Sequence, residues 1–183
     1  LVLSPEINYG TFNMNDLKVL LDSHVSSNGI DIRNISSFPP YWGYGLSFLC
    51  NLESGFGFGI ISEFYSSGGR DYYEDYSGSY KYDLLVKCFN IGIKASYNIL
   101  PLSNHSVILE VSQGLKLSSL YEHESLRVTA DSFDEHFNWQ SSSYWLKPVI
   151  RYEYSFTKTI SAGIYFGGEF NQPSYLHLQE NKD

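Results

Sequence analysis

The chain has 183 residues, a formal net charge of −8, 17% charged residues and 17% aromatic ones, namely 16 Tyr, 12 Phe and 3 Trp. That length suits a single domain with one core, residues 1–183, and the acidic balance argues against a nucleic-acid partner, which would want a basic face. No run of about 18 apolar residues occurs, which excludes a transmembrane helix but not a membrane strand, whose apolar residues merely alternate.

The chain opens on Leu1 without a signal peptide, as expected of a processed chain or of one that begins inside a longer protein. Residues 1–12 alternate Leu1, Leu3, Pro5, Ile7 and Tyr9 against Ser4, Glu6, Asn8 and Gly10, the period of a first strand. Met14, Leu17, Leu20 and Leu21 then recur at helical spacing, with Asn13 or Asn15 as N-cap. A short helix over 15–22 is predicted, inside a long connection ending at Phe38-Pro39-Pro40. A second strand is expected over 42–50. A tight turn at Asn51–Ser54 leads to a third, with Phe56, Phe58, Ile60 and Phe64 on one face. Residues 66–82, rich in Ser, Gly, Asp and Tyr, read as a polar loop.

A fourth strand covers 83–99 and a fifth starts near Ser106 and continues to about Val128, with a polar tip at 129–135. The sixth strand has the clearest pattern. In Tyr144–Phe156 every second residue is large and apolar or aromatic, and Lys147, Arg151 and Glu153 lie between them. Thirteen alternating residues exceed an ordinary strand and suffice for a bilayer crossing of ~9–11 tilted residues. Pro148 within it forfeits a ladder hydrogen bond, so a bulge or a missing bond is expected there. The seventh strand holds Ile160, Ala162, Ile164 and Phe166, and residues 174–183 read as an eighth barely begun. Single-chain bacterial barrels have even strand numbers, so the rest of an eighth strand is expected beyond residue 183.

Both membrane and soluble barrels have one apolar and one polar face, and they differ in which points outward. Three features favour polar-in. Connections at one end are short (51–54, 100–104, 157–159) and at the other long (13–41, 66–82, 129–135). Gly57, Gly59, Gly92, Gly114, Gly163 and Gly167 all share the polar face, where a narrow bore needs small residues beside long ones. That face also carries Glu63, Glu110, Glu153 and Glu169 against Lys94, Lys116, Lys147 and Arg151, a balanced set suited to enclosure. The apolar face is almost free of charge except for Lys87, close enough to an end to snorkel. Cys50 and Cys88 have opposite parity and are expected as free thiols.

The run Gly68-Gly69-Arg70 through Ser77-Gly78-Ser79-Tyr80-Lys81-Tyr82-Asp83 resembles the second external loop of small outer-membrane β-barrel proteins of Bacteroidetes-type Gram-negative bacteria. Asn13–Lys18 and Phe38–Tyr41 are similar to that family's first-loop helix and its entry to strand two. The resemblance implies an eight-stranded barrel without an assigned active site. Glu74 and Asp75 make this loop more acidic than the family pattern, and the family's final strand has no counterpart.

The expected architecture is therefore an all-β, antiparallel up-and-down transmembrane barrel in the bacterial outer membrane. Outer-membrane lipid and lipopolysaccharide are its expected surroundings, and no cofactor or metal is implied. The interior charges read as a plug rather than an ion path. Arg70, Asp71, Tyr72, Tyr73, Glu74, Asp75, Tyr76 and Tyr80 form a candidate surface for a glycan or protein ligand. Asp71, Glu74 and Asp75 lack an EF-hand spacing, and His24, His105, His136 and His177 are scattered without metal-ligand spacing. His123-Glu124-Ser125 with Glu135 resembles the base–nucleophile pair of outer-membrane lipid A deacylases. A lipid A-modifying hydrolase and a soluble ligand-binding barrel are thus the alternatives to a non-enzymatic membrane barrel.

Overall fold

A computed structural model describes residues 1–11, 39–76, 78–128 and 132–178. The helix expected over 15–22 lies outside these residues. The described chain is one antiparallel sheet with strands β1 (Val2–Gly10), β2 (Tyr41–Asn51), β3 (Phe56–Asp75), β4 (Gly78–Pro101), β5 (His105–Val128) and β6 (Ser132–Ser155) in sequence order. Along the far edge of β6 run three short strands, β7 (Ser161–Gly167), β8 (Phe170–Asn171) and β9 (His177–Leu178).

These three are successive pieces of one edge. Val149 opposes Gly167 and Leu146 opposes Phe170, so β8 keeps the register of β7. Trp139 opposes Leu178, a slip of one residue relative to Trp145 opposite Asn171. Residues 177–178 therefore extend the seventh span and do not begin an eighth, because Gln172 N–H bonds Tyr144 O at 2.9 Å and keeps the chain on β6 beyond the break. The interruption at Gly168–Glu169 falls opposite Pro148, which has no N–H to give. Gly168 N–H to Pro148 O, at 3.3 Å, remains.

The segment 66–82 is not a loop. β3 continues to Asp75 and β4 starts at Gly78, with Tyr73 opposite Tyr80 and Arg70 opposite Asp83. Likewise β6 begins at Ser132, so most of the expected tip at 129–135 is paired with β5. Turn-forming composition misled here because β3–β6 support one another as a four-stranded extension whose concave side is aromatic. Tyr65, Tyr80, Tyr82, Leu84, Val86, Cys88 and Leu120 form its buried cluster, with Tyr41, Tyr73, Leu126 and Trp139 against it. Strands of 24 residues reach roughly 80 Å at ~3.4 Å per residue, well over twice what a bilayer crossing uses. The opposite end is compact. β2 turns into β3 through Leu52–Gly55, where Gly55 takes the left-handed conformation (φ 84°).

Among the described residues the sheet is strongly curled but not closed by hydrogen bonds, and β1 and β7 are its unpaired edges. Curling separates the faces. On the convex side a row of cross-strand neighbours runs Leu3, Phe48, Ile60, Ile93, Gln113, Leu146 and Phe170. Ile60 and Ile93 in that row are 64% and 59% exposed. The concave side instead buries Glu6, Glu63, Lys94, Glu110, Lys116 and Arg151. Apolar therefore faces out and charge faces in, the reverse of a soluble barrel. Cys50 follows the convex parity and Cys88 is buried on the concave side, both as free thiols.

Candidate functional site: the charged concave face and the strand extension

Strand parity puts charged residues among the small and polar ones of the concave side, and the curl brings strands far apart in sequence within reach. Lys94 Nζ lies 2.7 Å from Glu6 Oε1 and 3.0 Å from Glu110 Oε2. Arg151 binds the same two carboxylates, Glu6 at 3.0 Å and Glu110 at 3.1 Å. The four make a closed ring of two acids and two bases drawn from β1, β4, β5 and β6. Ser47 Oγ donates to Glu6 at 3.0 Å, and Arg151 reaches Ser4 Oγ at 3.4 Å.

Two further pairs sit nearer the extension. Lys147 Nζ binds Glu63 Oε1, which also accepts from Asn8 Nδ2 at 3.0 Å. Lys116 Nζ binds Glu169 Oε1 at 3.0 Å, and that carboxylate also accepts from Tyr65 OH at 2.8 Å and Asn90 Nδ2 at 3.0 Å. The break opposite Pro148 lies at Glu169 itself, whose side chain turns to the concave face.

Seven of the eight expected interior charges meet in these clusters, while Glu153 is half-buried near the short-turn end. The residue that parity indicated but the charge balance omitted is Glu6. Adding it makes five acids to four bases. Buried pairing accounts for four of each, and the excess acid is Glu153, the member nearest solvent. Chemically the set is self-neutralising, and its bases and carboxylates are engaged with one another. A cavity of about 730 Å³ lies beside it, between the unpaired edges, lined by Asn8, Tyr9, Glu63, Lys147, Gly163 and Tyr165 among others.

The interior glycines serve the expected purpose where Gly92 and Gly114 sit side by side, with Trp145 next in the row. A Cβ on Gly92 would meet Trp145 Cζ2 at 3.0 Å and Gln113 O at 2.2 Å. The indole is 2% exposed and donates to Leu115 O at 3.2 Å.

The residues expected to form one surface loop divide between two faces. Asp71 and Tyr80 are buried and Tyr73 half-buried, whereas Tyr72, Glu74 and Tyr76 are exposed. Asp71 and Glu74 therefore cannot converge on one Ca²⁺, and the side chain of Asp75 lies outside the described residues. Arg70 pairs with Asp83 on the convex side. Burial alone would raise the Asp83 carboxyl, but hydrogen bonds from Arg70 and Lys81 more than offset it and hold it below the usual aspartate range. On the concave side Tyr82 OH donates to Glu122, and Trp139 Nε1 donates to Glu122 at 3.1 Å.

Above the apolar belt the convex face changes character. Lys87 lies over the Tyr121 ring at 4.7 Å, and beyond it one row reads Arg70, Asp83, His123, His136 across four strands. His123 is close to Asp134 (2.8 Å) and Asp83 (3.9 Å). Glu135 opposes Glu124 on the other parity and is not the carboxylate beside His123. His136, read as scattered, stacks on His123 with centroids 4.1 Å apart. The sequence signal was the hairpin register, which sets these two histidines opposite each other. Compared with known proteins, the chain matches no family model, no curated protein and no solved structure.

Proposed function

We propose that the chain is an outer-membrane β-barrel protein of a Gram-negative bacterium, non-enzymatic, with a plugged interior and a β-extension that presents a surface outside the membrane. The carrying observation is the convex apolar belt. Exposed Phe48, Ile60, Ile91, Ile93, Leu115 and Ile150 form it, with aromatic clusters at both ends. Tyr9–Trp42 (5.1 Å) lies toward the extension; Phe56–Tyr97 (4.5 Å) and Tyr154–Phe156 (5.0 Å) lie toward the short turns. Aromatic girdles flanking an apolar band are how a membrane barrel meets its two interfaces. A soluble protein rarely exposes so continuous an apolar surface.

In this reading the unpaired edges of β1 and β7 are joined by one further strand, giving eight, and the ion-paired concave face fills the bore. Lipid and lipopolysaccharide surround the belt. The exposed Tyr72, Glu74 and Tyr76 side of the extension serves structural or adhesive roles toward a glycan or protein. That arrangement accords with the Bacteroidetes-type family that the 68–83 run resembles. Hydrolysis is disfavoured because Glu135, the carboxylate expected to orient His123, opposes Glu124 on the other face of the sheet.

Migration in detergent gels tests the proposal. The full protein is expected to run faster unheated than boiled and to need detergent to stay in solution. A chain that is monodisperse in plain buffer would overturn it.

A further inference from the structure

Of the cavities, charge clusters and surfaces outside the concave network, the convex row above the apolar belt has the most specific chemistry. His123 on β5 and His136 on β6 are directly opposed, with rings 4.1 Å apart and 14° from parallel. Asp134, two residues before His136, shares its face. Its Oδ1 lies 2.8 Å from His123 Nε2 and 3.4 Å from His136 Nε2. Three potential ligand atoms thus converge within 4.8 Å of one another. Two of the residues are exposed and one half-buried, so the point of convergence is open to solution.

The electrostatics are unlike those of the neighbouring pairs. The Asp83 carboxylate is already occupied by Arg70 and Lys81. Among the described residues no lysine or arginine lies within ion-pair distance of Asp134, and its partners are the two imidazoles. In one neutral tautomer His123 Nε2–H donates to Asp134 Oδ1 across 2.8 Å; in the other the Nε2 lone pair faces that carboxylate, and a bound cation takes the place of the proton. A strand hairpin fixes such a triad well, because the opposed pair and the residue two along keep their places in the pleat.

We propose that His123 Nε2, His136 Nε2 and an Asp134 oxygen bind a divalent transition metal of the zinc class on the outer face of the extension. Two imidazoles and a carboxylate suit Zn²⁺ and its borderline neighbours, and leave a coordination position for water or an external ligand. In a tetrahedral site with ~2.0–2.1 Å bonds the ligand atoms sit roughly 3.3 Å apart, which small rotations of exposed side chains achieve here. Asp83 lies behind His123, with Oδ2 3.9 Å from Nδ1. It takes the place of the outer carboxylate that orients many metal-bound histidines. Bound metal would also tie β5 to β6 near the far end of their pairing. The inference does not depend on the membrane reading, since it uses only the register of β4, β5 and β6.

The test is titration of the refolded full chain with Zn²⁺ against a chromophoric chelator, using Co²⁺ to report coordination geometry from its visible spectrum. One saturable site is expected. It should be abolished in His123→Asn and His136→Gln, and weakened ~10–100-fold in Asp83→Asn, which keeps all three ligands. Binding should also weaken on acidification, as protons compete for the imidazoles. Thermal unfolding without metal should be the same in wild type and in the two histidine variants, which separates loss of ligand from loss of fold. If a variant does unfold, quenching of the Co²⁺ spectrum by carbethoxylation of the wild-type histidines reads the same site. Absence of saturable Zn²⁺ or Co²⁺ binding, or binding unchanged in the His123→Asn/His136→Gln double variant, would overturn the proposal. Either result would leave the triad as a hydrogen-bonded cluster.

Discussion

Arg151 on β6 donates through Nη2 to Glu6 Oε1 on β1 at 3.0 Å, joining the first and sixth strands across the concave space by side chains where no backbone ladder connects them. Lys94 and Glu110 complete the ring, so each member offsets the desolvation of two others.

That closure predicts a strong single-variant effect and a weaker double one. Arg151→Met leaves Lys94 facing both Glu6 and Glu110, an excess buried charge that costs about 3–5 kcal/mol. Adding Glu6→Gln restores neutrality around Lys94–Glu110, so the double variant should be more stable than Arg151→Met alone. Urea unfolding in micelles, followed by tryptophan fluorescence, measures both. Equal loss in single and double variants would mean that the ring is not energetically coupled.

The convex belt gives a test in which water and lipid predict different numbers. Ile93 is 59% exposed and stands in the middle of the apolar row. Ile93→Lys should cost roughly 2–4 kcal/mol if lipid covers it, but stay within about 0.5 kcal/mol on a wet surface. Folding equilibria into lipid vesicles distinguish the two.

Trp145 over the Gly92–Gly114 pair predicts that space on the concave side, not strand propensity, governs these positions. Gly92→Val improves β-propensity, yet its Cβ meets Gln113 O at 2.2 Å and Trp145 at 3.0 Å. The variant should lose about 1–3 kcal/mol and change the Trp145 emission. A stabilised variant would refute the packing argument.

The Arg70–Asp83–Lys81 contact makes the extension acid-sensitive. The folded carboxyl is held below its ordinary value near 3.8, burial opposing and the two cations prevailing. Its contribution is therefore complete at neutral pH. It declines once the pH falls below that ordinary value and vanishes as the pH passes through the lowered one. Amide exchange in residues 66–83 should rise over that window in wild type. In Asp83→Asn this rise should be absent.

Alternation alone determined the faces as sets. The large apolar residues of Tyr144–Phe156, the polar-face glycines and the interior charges all fall where their parity put them, because a pleated strand leaves each side chain only two directions. The short connections at one end were legible for the same reason. Alternation by itself could not choose which face was convex, since both curls preserve it; the polar-face glycines and the balanced charges pointed to polar-in, and long-range pairing buries those charges on the concave side. It also hid the extension. Asp71, Tyr73 and Tyr80 sit in a stretch whose composition favours turns, and only the ladder to β5 and the aromatic cluster around Tyr82 make it a strand. Glu6 and His136 were visible as residues but not as members of a site. Their partners lie on strands remote in sequence or across a hairpin, and side chains become neighbours only once register is fixed.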